Sequence, residues 1–143
     1  MYKTILVPVD LAEEGFCDEV VRHALEVLAP KGKLILLTVV AGYQMPLVGS
    51  YFPPGTFDKA IKEVHQQLKA FVEQKLPIDP EDCTLEVKEG KPADLILSEA
   101  KRLKADLIVM ASHKRSRLER SVLGSVATKV VGRSTTPVLV IKG

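Results

Sequence analysis

The sequence has little of what marks several large classes of protein. It holds no tryptophan and only two cysteines, Cys17 and Cys83, far apart and without a CxxC pair. A structural zinc site needs more Cys and His than this spacing offers. The two cysteines read as reduced thiols of a cytosolic protein. No apolar run approaches the roughly 18 residues of a membrane span, so no membrane association is expected. The first residues, Met1-Tyr2-Lys3-Thr4-Ile5-Leu6-Val7-Pro8, lack the long apolar core and cleavage site of a signal peptide, and a cytoplasmic location is expected. There is no large excess of one charge either. Lys plus Arg number 20 against 18 Asp plus Glu, a net charge of +2. That balance argues against a protein that coats nucleic acid. Internal repeats and low-complexity segments are also missing.

What is present fits one globular domain, residues 1–143. Apolar residues make up 46% and charged residues 27% of the chain, an ordinary globular composition. A chain of this length buries roughly two thirds of its unfolded surface.

Hydrophobic periodicity alternates between two kinds. Residues 3–9 form a short apolar run rich in β-branched side chains, a buried strand. Phe16, Val20, Ala24, Val27 and Leu28 recur at helical spacing over 16–28, and Pro30 and Gly32 stop that helix. Residues 34–40 give a second strand. Phe57, Ile61, Val64, Leu68, Phe71, Val72 and Leu76 mark a second helix, ended by Pro77. Residues 84–88 alternate as a third strand nearer an edge. Ala93, Ile96, Leu97, Ala100 and Leu103 mark a third helix, with Pro92 suited to its first turn. Residues 107–111 give a fourth strand, 122–133 a fourth helix, and Val138, Leu139, Val140 and Ile141 a fifth strand.

Strands that are apolar on both faces imply a parallel sheet covered on both sides. With right-handed crossovers, the expected fold is a three-layer α/β/α sandwich with a five-stranded parallel sheet of order 3-2-1-4-5. Ligands then sit beyond the carboxyl ends of the strands, where the order reverses between strands 1 and 4. Pro8-Val9-Asp10 and the segment after Ala111 should therefore matter most. Residues 41–56 form a long loop with three prolines and three glycines. Tyr43, Tyr51 and Phe52 lie in it and Phe57 follows it, four of the seven aromatic residues. Such a loop suits a lid, a subunit contact or packing over its own core.

After strand 4, residues 113–120 carry Lys114, Arg115, Arg117 and Arg120 against Glu119, a local charge of +3. Gly124-Ser125 lies near the start of the fourth helix. Free N–H groups at a helix start, a Gly that permits close approach and a hydroxyl donor suit a phosphate. Arg can add a bidentate grip.

At this point the chain resembles the universal stress protein family over essentially its whole length. The matching residues are Ile5-Leu6-Val7-Pro8-Val9-Asp10, Leu36-Leu37-Thr38-Val39-Val40, the run 105–113, Leu123-Gly124-Ser125-Val126, and Thr136-Pro137-Val138-Leu139-Val140-Ile141. The resemblance implies an adenine nucleotide alpha hydrolase-like fold and a cytosolic stress-response protein with an adenine nucleotide site. The nucleotide-binding branch carries G-x2-G-x9-G-[ST] after strand 4. Here Ala111 and Lys114 replace the first two glycines, Gly124-Ser125 completes the motif, and Ala127 lacks a hydroxyl.

The resemblance also implies roles. Asp10 would accept hydrogen bonds from ribose hydroxyls or adenine. Pro8 and Val9 would line the adenine or ribose wall, and Val39 would offer its backbone to adenine. Met110 and Ala111 would floor the site. Lys114, Arg115, Gly124, Ser125 and Val126 would hold the phosphates of ATP or another adenine nucleotide, with or without Mg2+, and His113 would bond phosphate or order the loop. His23 and His65 are ordinary surface or boundary residues.

Other readings fit less well. A phosphoacceptor domain needs an acidic pair after strand 1, where Asp10 stands alone, and an Asp after strand 3. Flavin-binding and pyrophosphatase-type relatives of this architecture need a phosphate loop that Leu11-Ala12-Glu13-Glu14-Gly15 does not supply. With no Walker motif, Ser-His-Asp arrangement or metal cluster, no dedicated enzyme is expected, at most slow ATP hydrolysis. The alternative is a nucleotide-free interaction module. Strand 5 would be an exposed edge, so a homodimer through Val138, Leu139, Val140 and Ile141 is expected, or a higher oligomer.

Overall fold

Strand and helix alternate as the periodicity predicts. The computed structural model describes residues 1–11, 14–40, 56–112 and 123–142. The elements are β1 (Tyr2–Pro8), α1 (Glu14–Val27), β2 (Leu28–Val40), α2 (Thr56–Lys75), β3 (Thr84–Glu89), α3 (Pro92–Arg102), β4 (Leu107–Ser112), α4 (Ser125–Arg133) and β5 (Val138–Lys142), with a short 3-10 turn at Pro80–Asp82 before β3. The long loop at 41–55 and the basic run at 113–120 lie outside the described residues.

All five strands pair in parallel, in the order β3-β2-β1-β4-β5. The pleat sends successive side chains to opposite faces, and residues 5–7 of β1, 34–37 of β2 and 107–110 of β4 are apolar on both. Ile5, Val7, Leu34, Leu36, Leu107 and Val109 pack with Val20, Val21 and Ala24 of α1 and Leu68, Phe71 and Val72 of α2. Leu6, Ile35, Leu37, Ile108 and Met110 pack on the other face with Ala93, Ile96 and Ala100 of α3 and Ala127 and Val130 of α4. The first two crossovers run one way along the sheet and the last two run the other, so right-handed connections place the two helix pairs on opposite faces.

Two details differ from the periodicity. The first helix ends at Val27 and β2 begins at once, running past Pro30 and Gly32 rather than after them. Two steps along β1, Tyr2 to Thr4, match five along β2, Leu28 to Lys33. The extra residues bulge out, with Lys31 at φ 63°. A Cβ on Gly32 would stand 2.7 Å from the Ala29 carbonyl oxygen, so this irregular entry needs glycine. The fourth helix starts at Ser125 rather than residue 122, with Gly124 as its N-cap in extended conformation.

Candidate functional site

The sheet is closed at one end and parted at the other. β1 pairs with β2 as far as Pro8↔Leu37, and β4 with β5 as far as Ser112↔Lys142. Yet β1 and β4 pair only at Ile5↔Leu107 and Leu6↔Ile108. Backbone parity explains the early end. The Val9 N–H donates to the Leu37 carbonyl of β2 at 2.8 Å, whereas the Thr4 carbonyl accepts the Asp106 N–H, also at 2.8 Å. Odd-numbered residues of β1 thus turn their backbone groups toward β2 and even-numbered ones toward β4. Pro8 is even-numbered and has no N–H to give, so the ladder stops there. At the opposite end the Thr4 N–H donates to Asp106 Oδ2 at 3.0 Å and holds the strands together.

A cavity of about 330 Å³ opens where the strands part. Pro8, Val9 and Asp10 line it from β1 and the turn after it, and Leu37, Thr38 and Val39 from β2. Met110 and Ala111 of β4 and Cys17 of α1 complete that side. Pro92 and Ile96 of α3 and Val126 of α4 face them. Asp10 is the one charged side chain among these residues; the rest are apolar apart from Thr38 and Cys17. The first turns of α3 and α4 both border the cavity, and neither N-cap, Lys91 or Gly124, offers a side-chain acceptor to the helix. Helix starts leave N–H groups without an intrahelical partner and carry partial positive charge. The described walls therefore combine an apolar slot, one carboxylate and two helix starts suited to an anion.

The structure brings together Pro8, Val9, Asp10, Val39, Met110, Ala111 and Val126 of the residues singled out from the sequence. Gly124 and Ser125 do not line the cavity; they begin the helix whose next residue does. The Gly124 N–H donates to Ser112 Oγ at 2.9 Å, tying the start of α4 to the end of β4. His113, Lys114 and Arg115 lie outside the described residues.

Thr38, Cys17, Leu37, Pro92, Ile96 and Ser112 were not singled out. For Thr38 a signal existed: it is the one hydroxyl in the apolar run 34–40, and a buried hydroxyl needs a partner. It finds the Val9 carbonyl at 3.2 Å. Cys17 follows helical spacing and gives no signal beyond core packing. Another depression, of about 310 Å³, is lined in part by Lys101, Lys104, Arg133 and Thr136. Those cations stand around the C-terminal ends of α3 and α4, where they complement the helix dipoles.

The universal stress protein family model matches residues 1–142. The chain belongs to that family. Universal stress protein G of Salmonella typhimurium is 33% identical over 144 residues, covering 99% of this chain and all of that one. Universal stress protein MJ0531 of Methanocaldococcus jannaschii is 31% identical over 146 residues, covering 99% and 83%. Among solved structures, hypothetical protein MJ0577 superposes with a TM-score of 0.76 at 27% identity, covering 100% and 97%. A universal stress protein in complex with cAMP superposes with a TM-score of 0.56 at 26% identity, covering 99% and 97%. In this universal stress protein the crevice lies at the reversal point of the same sheet order. No helix among the described residues is long and apolar enough to cross a membrane.

Proposed function

We propose that this universal stress protein binds an adenine nucleotide, ATP or AMP, in the crevice between β1 and β4. It then acts as a regulatory or sensor protein without dedicated catalysis. The observation that carries the reading is the cavity itself: a largely apolar slot of about 330 Å³ lined by Asp10, with two helix starts beside it. Its volume falls at the low end of the 300–1,000 Å³ typical of small-molecule sites. The cAMP complex of a relative supports the adenine class of ligand.

In this reading Pro8, Val9, Val39, Met110 and Ala111 enclose the base and ribose. Asp10 accepts hydrogen bonds from the ribose hydroxyls. The phosphates run toward Val126, Ser125 and Gly124 at the start of α4, and His113, Lys114 and Arg115 supply cationic and donor groups. Mg2+ enters with the phosphates. Among the described residues no cluster of three or more His, Cys, Asp and Glu could hold a metal by itself.

The protein works as a single domain, 1–143, in the cytoplasm. It pairs as a homodimer through β5, whose apolar edge leaves Leu139 37% exposed. That same edge favours one second reading, a nucleotide-free interaction module. Thermal unfolding separates the two. Ligand at a hundredfold excess over its Kd stabilises a protein by about 2.7 kcal/mol, a melting shift of several degrees at this size. Shifts with ATP, ADP or AMP, with or without Mg2+, are expected; their complete absence at millimolar concentration leaves the interaction module.

A further inference from the structure

The turn that carries Asp10 is held by side chains from two different elements. The Val9 carbonyl and the Asp10 N–H belong to one peptide plane. Thr38 of β2 donates its hydroxyl to that carbonyl at 3.2 Å. Cys17 of α1 accepts that N–H on its sulfur at 3.3 Å. The same thiol then donates to the Asp10 carbonyl at 3.0 Å, which belongs to the next peptide plane. Thr38 and Cys17 are both buried, at 7% and 3% exposure, and both line the cavity.

These contacts come where the sheet no longer supplies backbone partners on this side. The last backbone bond of this segment to β2 is Val9 N–H to Leu37, and β1–β4 pairing has ended at Leu6. Backbone groups this close to the interior require partners. Side chains supply them here, and in doing so they fix the peptide planes before and after the Asp10 Cα. With both planes set, φ and ψ of Asp10 are set, and with them the direction of its Cβ.

We infer that Thr38 and Cys17 are positioning residues that aim the Asp10 carboxylate into the crevice, and that they thereby set the preference of the site for a ribose over a sugar without hydroxyls. This rests on the adenine nucleotide reading and deepens it. A peptide plane clasped from both sides keeps the carboxylate aligned before ligand arrives, so less ordering is left for binding. Serine at position 17 retains one donor and one acceptor, whereas alanine retains neither.

The test compares the affinity of ATP and AMP with that of their 2′,3′-dideoxy counterparts. Wild type, Cys17→Ala, Cys17→Ser, Thr38→Val and Asp10→Ala are each titrated, with melting temperatures recorded alongside. A hydrogen bond to a charged group gives the wild type a ribose preference of roughly tenfold or more. Cys17→Ala and Thr38→Val each cut that ratio at least about threefold toward the Asp10→Ala value, while Cys17→Ser keeps most of it. Adding either substitution to Asp10→Ala brings no further loss of the ratio, because groups acting through one carboxylate are not additive. A merely structural role lowers the melting temperature and weakens both ligands together, leaving the ratio intact. Thr38→Val acts on the same peptide from the other side and decides the matter should Cys17→Ala not fold. Wild-type preference that survives in both variants overturns the inference alone, as does wild-type binding with no ribose preference. Wild type that binds none of the four ligands overturns the nucleotide reading itself.

Discussion

The two thiols show how position decides what one residue type does. Cys17 is buried in the core at the crevice and holds the Asp10 backbone. Cys83 is half-buried just before β3, where it caps the 3-10 turn, and donates weakly to the Pro80 carbonyl at 3.6 Å. Burial, and then the nearby Asp82 and Asp79 carboxylates, push the Cys83 thiol up to about 11. A raised thiol pKa has a definite sign. Below pH 9 the thiol is protonated in both folded and unfolded chains. Between about 9 and 11 the unfolded thiol ionises first, so stability falls as pH rises through that window. Denaturation midpoints from pH 8 to 11 should fall less steeply for Cys83→Ala than for the wild type. At pH 7.5 alkylation of Cys83 should be far slower than that of a free thiol, because the thiolate is the nucleophile. Neither effect was legible in the sequence, where both cysteines looked alike.

At the scale of elements, the start of α4 depends on a contact with the end of β4. Ser112 is 4% exposed, and its Oγ accepts the Gly124 N–H. Removing a hydrogen-bond partner from a part-buried donor costs about 1–3 kcal/mol. Ser112→Ala should therefore lower the denaturation free energy by that amount, whereas Ser98→Ala, on an exposed hydroxyl of α3, should change it by less than about 0.5 kcal/mol. Helical periodicity alone extends this helix back to residue 122, because Val122 and Leu123 suit its apolar face. Gly124 overrides that pattern by taking an extended conformation as the N-cap. The β2 entry shows the same limit. Pro30 and Gly32 were legible as breakers, but the strand pairing that resumes around them depends on β1, which no local pattern encodes.

For the whole molecule, the strand order and the place of the crevice follow from the alternation of elements and the handedness of crossovers. Asp10, Ala111 and Val126 are over a hundred residues apart at the extremes, yet topology alone placed their segments at one end of the sheet. The cavity's walls from Cys17 and Ile96 depend on side-chain contacts between layers and were not readable in advance, whereas Thr38 stood out as a lone hydroxyl in an apolar run. The two sheet edges also differ. β3 carries Glu86 and Lys88, joined to α3 through Arg102 and Glu99, with Arg102 Nη2 2.6 Å from Glu99 and 3.6 Å from Glu86. The hydrogen bond to Glu99 raises the Arg102 pKa further above its usual value. Charged edges resist pairing, and apolar ones invite it. Self-association should therefore use β5. Light scattering at micromolar concentration should give a dimer for the wild type and a monomer for Leu139→Lys; a wild-type monomer would remove the β5 interface.

In the proposed function, the crevice between β1 and β4 takes an adenine nucleotide through Asp10. Calorimetric titration of ATP and AMP, with and without Mg2+, into wild type and Asp10→Ala tests it most directly. One nucleotide per chain is expected for the wild type, with binding roughly 10–100-fold weaker in Asp10→Ala from the loss of a charge-assisted hydrogen bond. No heat with either nucleotide, or equal affinity in Asp10→Ala, would contradict the account.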